Sequence, residues 1–139
     1  MAFIEEKENG IVYMRSTLIG AKHAFTTRLG GVSEGPFASF NLGANRGDDP
    51  EAVRENYRRL CALFGVGVDD CAVTNQVHKN TVRIVTEADR HVCMSPVPYE
   101  ADGLVTAEKG LQDLHVETDF STTDVGQLTP RIQALLEML

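Results

Sequence analysis

The run from His23 to Gly43, HAFTTRLGGVSEGPFASFNLG, limits this chain more than any other stretch, because it combines a strand-like start with two turn signals inside one segment. Thr26 and Thr27 are β-branched and suit an extended backbone. Gly30 and Gly31 then permit a sharp change of direction just after Arg28, and Gly35-Pro36 marks a second turn. Phe37, Phe40 and Leu42 are placed to anchor the segment to a core, while Ser33, Ser39 and Asn41 offer hydrogen-bonding groups. A segment of this kind holds a defined backbone shape and aims Arg28 in a set direction. An ordered connection between strands with no catalytic duty has the same composition, since nothing in the run is itself a catalyst.

The clearest element follows it. Asp49 is a helix cap and Pro50 fits the first helical position. Val53, Tyr57, Leu60, Cys61 and Phe64 then recur at one-face spacing before Gly65 stops the helix. Glu51 and Glu55 near its start and Arg58 and Arg59 near its end match the helix dipole. Strands are expected at Ile11–Met14, from Gly20 to Thr27, over Cys71–Val77 and Thr81–Thr86, and from Gly103 to Thr106. His78 falls between two of these, at a strand edge. The residues up to Gly10 are polar enough to fray, and Glu87–Glu100, with Pro96 and Pro98, reads as an exposed loop.

Beyond Gly110 the pattern changes. LQDLHVETDFSTTDVGQ is polar and weakly periodic, and Thr129-Pro130 then opens a short helix with Ile132, Leu135, Leu136 and Leu139 on one stripe. A helix of about ten residues is marginal alone in water, so this one needs a docking surface, either the chain's own half-sheet or, favoured slightly, the same stripe of a second copy in a homodimer through the C-terminal segment.

The length of 139 residues, 42% of them apolar and 24% charged, suits one soluble domain spanning 1–139. Thirteen basic against 20 acidic residues give a net charge of -7, and no basic cluster with interleaved aromatics occurs, so nucleic acid is not an expected partner. No apolar run approaches a membrane span, and MAFIEEKENG has neither the basic start nor the apolar stretch of a signal peptide, which makes the cytoplasm the expected location. Three cysteines without CxxC spacing argue against a disulfide scaffold. Cys61 and Cys71 read as small core residues; Cys93, two residues from His91, sits in loop-like sequence.

Four segments in order, HAFTTRLGGVSEGPFASFNLG, GDDPEAVRENYRRL, NQVHKNTVRIV and YEADGLVT, resemble the YfiH-type laccase-domain family, whose members have been described as polyphenol oxidases, zinc-dependent purine nucleoside phosphorylases with adenosine deaminase side activity, and peptidoglycan editing factors. The resemblance covers residues 11–111 and leaves 112–139 as a divergent segment. It implies an α+β fold of mixed β-sheets covered by helices, here incomplete, with zinc (copper has also been claimed) as cofactor and a nucleoside as small-molecule partner. It also implies His78, in Gln76-Val77-His78, as the catalytic metal ligand, with Arg28 and Asn41 contacting substrate.

The family's other ligands are a Cys from a Thr-Ala-Asp-Cys segment and a His from a His-Ala-Gly-Trp segment. Aligning Thr118-Asp119 with the former places Phe120 near the thiolate position, and the chain has no Trp. Lys79 also stands where a Gly usually follows the His, beside a ligand whose metal it would repel. A zinc catalytic site needs about three protein ligands and an open position. His78, His91, Cys93 and His115 could in principle be combined into a substitute site, though their spacing does not suggest one. The resemblance therefore implies an impaired enzyme; the alternative is an inactive, truncated or diverged module that binds or dimerises.

Overall fold

The computed structural model describes residues 2–91, 93–107 and, as backbone, 112–114, and these divide into two compact units, Met1–Val68 and Asp69–Leu139. The expected C-terminal helix over Ile132, Leu135, Leu136 and Leu139, together with His115 and the Thr118–Phe120 segment, falls outside the described residues. Among the described residues the elements are short strands in small sheets with one α-helix, an α+β architecture.

In the first unit, β1 (Phe3–Glu8) and β2 (Ile11–Ser16) form an antiparallel hairpin in which Glu8 faces Ile11 and Phe3 faces Ser16. Fraying before Gly10 is therefore not what happens. Asn9 and Gly10 both adopt left-handed angles, φ 53° and 82°, the two-residue turn that matches strand twist, and it fixes the register of the polar strand β1 against its apolar neighbour. The Gly20–Thr27 strand shrinks to β3 (Phe25–Thr26), paired with Tyr13 and Met14 of β2. His23 accounts for part of the shortening. Its Nδ1 lies 2.7 Å from the Ala21 carbonyl and its Nε2 accepts the Ser16 amide, which ties the chain into a turn where a strand was expected.

The expected helix is present as α1 (Pro50–Leu63), with the Asp49 carboxylate accepting from the Glu51 amide. Its end is a Schellman motif: Gly65, at φ 72°, donates to Ala62 O while Val66 donates to Cys61 O. Val53, Tyr57, Leu60, Cys61 and Leu63 are buried, as is Asn56.

In the second unit, β4 (Cys71–Val73) pairs in parallel with β7 (Gln112–Leu114), and β5 (Val82–Ile84) pairs in parallel with β6 (Gly103–Val105). The predicted strands at 71–77 and 81–86 are thus each cut to three residues, and β7 lies in sequence that reads as polar and irregular. Ala72 and Val85 pack together with Leu104 against them. Within the expected loop after β5, Glu87–Asp89 forms a 3-10 turn closed by a capping box between Thr86 and Asp89. Among the described residues no helix is long and apolar enough to cross a membrane.

Candidate functional site

The loop that carries Arg28 and Asn41 is held by side chains of α1, where Tyr57 donates to Leu42 O at 2.7 Å and Arg59 to Gly30 O at 3.0 Å, and above all by Asn56. Asn56 is wholly buried; its amide nitrogen donates to Ser33 Oγ (2.9 Å) and Asn41 O (2.8 Å), with a longer contact to Ser39 O, and its Oδ1 accepts from the Val32 amide at 2.9 Å. Gly31 makes this approach feasible: a Cβ there would lie 2.1 Å from Ser39 O and 2.6 Å from Asn56 Oδ1. Its role is close contact, not the unusual backbone angle expected for both glycines. Gly30, at φ 106°, meets that expectation. Ser33 Oγ in turn donates to Asp48 at 2.6 Å, and hydrogen bonds from Ser33 and Asn41 hold the Asp48 carboxyl below its ordinary range.

Arg28 does not reach outward. Its guanidinium is exposed but folds back to donate to Ala38 O at 2.9 and 3.2 Å, while its own carbonyl accepts from the amides of Ser39 and Phe40. Asn41 is half-buried with both ends of its amide engaged, donating to Asp48 and accepting from the Gly43 amide. Of the three apolar anchors, Phe40 is buried, and Phe37 and Leu42 are partly so. A groove of about 320 Å³ in this unit is lined by Tyr13, Arg15, Lys22, His23 and Phe64 among others; Arg28 and Asn41 do not line it.

His78 belongs to the second unit. It sits in a turn, not on a strand edge, in the left-handed region at φ 57°, with its side chain exposed. A single carboxylate imposes that shape. Asp102 Oδ1 accepts from the amides of Val77 (2.9 Å) and His78 (2.8 Å), and Oδ2 from that of Lys79 (3.0 Å). Burial alone would push the Asp102 carboxyl up, but the amides of Val77, Lys79, His78 and Thr81 together outweigh it and leave it below its ordinary value. Asp102 is absent from the sequence-derived candidates because Ala101-Asp102-Gly103 before a strand reads as an ordinary turn.

The described residues do not fit a catalytic zinc or copper ion at His78. No group of three His, Cys, Asp or Glu donors among them includes this residue. Cys71 and Cys93, in the same unit, are buried, and Cys61 is buried on α1; none forms a disulfide.

A family model described as multi-copper polyphenol oxidoreductase laccase matches residues 22–119. The chain belongs to this laccase-domain family. A purine nucleoside phosphorylase of Corynebacterium glutamicum is 43% identical over 110 residues, covering 76% of this chain and 44% of that protein; one of Deinococcus radiodurans is 44% identical over 102 residues, covering 73% and 37%. Among solved structures, YlmD from Geobacillus stearothermophilus aligns with a TM-score of 0.65 at 31% identity over 79% of this chain and 42% of that one. The YfiH protein of Bacillus licheniformis gives 0.65 at 25% identity over 75% and 40%. This laccase-domain chain thus spans less than half the length of these relatives.

Proposed function

We propose that this chain carries part of a purine nucleoside site of the laccase-domain type, and that phosphorolysis or deamination of nucleosides at zinc is impaired in it. The carrying observation is the isolation of His78. Asp102 holds its turn in place, yet no further donors gather round it among the described residues to make the three-ligand site such chemistry needs. Relatives named as purine nucleoside phosphorylases support nucleoside as the substrate class. Arg28 then contributes through the exposed face of its guanidinium, and Asn41 through the loop shape it fixes.

Turnover of inosine and adenosine by the purified chain, with phosphate and added zinc, tests this reading. No conversion above the buffer rate is expected. Activity that follows the protein through purification and falls in His78→Ala would overturn it in favour of a working enzyme.

A further inference from the structure

Two dipeptides in this chain, Asn9-Gly10 and Asp102-Gly103, put a glycine directly after a side-chain carbonyl carbon that its backbone nitrogen can attack. Ring closure of that kind needs a side chain not otherwise engaged, a backbone N–H with no acceptor, and no bulk on the following residue. The structure separates the two. Both Asp102 oxygens accept from backbone amides and the Gly103 N–H donates to Thr81 O at 3.2 Å, so that pair is tied down. Asn9 and Gly10 are exposed at the tip of the β1–β2 hairpin, and neither the Asn9 side chain nor the Gly10 N–H has a hydrogen-bond partner among the described residues. A Cβ on Gly10 would meet nothing within 4 Å, so the approach is open.

We infer that Asn9 is a site of spontaneous deamidation whose product unfastens strand β1, independently of the nucleoside reading. The Gly10 nitrogen, on losing its proton to solvent base, attacks Cγ of Asn9. The new N–C bond closes a succinimide, and the side-chain nitrogen takes up a proton and leaves as ammonia. Water then opens the ring: breaking the new bond gives an aspartyl residue, and breaking the original backbone C–N bond gives an isoaspartyl link. Water is the co-reactant and nothing is oxidised. Attack requires the turn to leave its left-handed geometry, and β1 permits this, because it is an edge strand with mostly exposed side chains, bonded to β2 alone among the described residues.

The consequence follows from the turn. Asn9 at φ 53° and Gly10 at φ 82° make the two-residue connection that sets Glu8 against Ile11 and Glu6 against Tyr13. An isoaspartyl link adds a methylene to the main chain there, and the connection no longer holds that register. The change reaches the Arg28 loop as well, since Gly10 O and Ile11 Cα come so near Gly30 that a Cβ on it would stand 2.4 Å from each.

Ageing the full chain in warm, mildly alkaline buffer, followed by peptide mapping with mass spectrometry, tests the inference. The peptide containing Asn9 should gain about 1 Da, amide to acid, ahead of those containing Asn41, Asn45, Asn56, Asn75 and Asn80, and should accept label from an isoaspartyl methyltransferase. Amide exchange through Phe3–Glu8 should be at least about tenfold faster in the isoaspartyl fraction than in fresh chain or in Asn9→Asp, which adds the charge without lengthening the backbone. Asn9→Gly, which keeps the left-handed turn without the amide, should age with no mass gain in this peptide and no change in exchange. An Asn9 peptide that stays intact while the urea-unfolded chain deamidates would overturn the site. Unchanged exchange in the isoaspartyl fraction, or equal acceleration in Asn9→Asp, would overturn the release of β1.

Discussion

Two polar side chains, Asn56 and Asp102, do more to shape this chain than the residues that first draw attention. Asn56 satisfies backbone and hydroxyl groups in a place water does not reach, so Asn56→Ala leaves the Val32 amide, Ser33 Oγ and Asn41 O short of partners. The expected loss is about 3 kcal/mol or more of unfolding free energy in urea, whereas Arg28→Ala, which removes exposed bonds to one carbonyl, should cost under about 1 kcal/mol. Asn56 was legible in principle. It lies between Val53 and Tyr57 on the apolar stripe of α1, where a polar residue signals a buried network, but a mid-helix Asn read without its partners passes for a surface residue. Asp102→Asn keeps the shape but offers one oxygen to three amides. Amide exchange at Val77, His78 and Lys79 should accelerate at least tenfold with little change elsewhere; unchanged exchange there would show that the turn holds itself.

At the scale of elements, α1 was readable end to end because its signals are local: Asp49-Pro50 at the start, a five-residue apolar stripe, Gly65 at the stop. Strand β1 was not, since FIEEKE has little apolar pattern and depends on the Asn9-Gly10 turn to bring it to β2. The parallel pairs β4–β7 and β5–β6 join segments far apart in sequence, so no local pattern reports them, and each strand is too short for alternation to register. The same elements give the molecule an acid limit. Hydrogen bonds from Arg58 and Arg59 bring Glu55 from 4.5 to about 2, and Asp48, Asp89 and Asp102 are lowered as well. Groups with depressed folded-state values contribute stability that is complete above their ordinary range and is lost as pH falls through the folded values. The urea midpoint should therefore be flat above about pH 5 and decline from about pH 4.5 toward 2. Glu55→Gln should make that decline shallower, and a decline of unchanged slope would show that Glu55 plays no part in it.

For the whole molecule, family membership was legible in four short segments, and matching residues 22–119 bear it out. The missing Cys and Trp segments were legible too, whereas the turn that Asp102 imposes on His78 was not, because it joins residues more than 20 positions apart. The parallel pairs of the second unit leave Ile84 75% exposed and Val82 37% exposed, unusual for parallel strands, which are ordinarily covered on both faces. A Val82→Thr, Ile84→Thr variant should thus fold with a loss below about 1 kcal/mol in urea and with greater solubility; unfolding of this variant would show that these side chains are covered in solution. The central claim is that His78 has no pair of further metal donors gathered round it among the described residues. The most direct measurement is the NMR response of the His78 imidazole protons to added zinc. The account predicts no change at one or two equivalents, with shifts emerging only at large excess and without saturation near stoichiometry. A His78 signal that moves in full with the first equivalents of zinc, in step with inosine turnover, would contradict it.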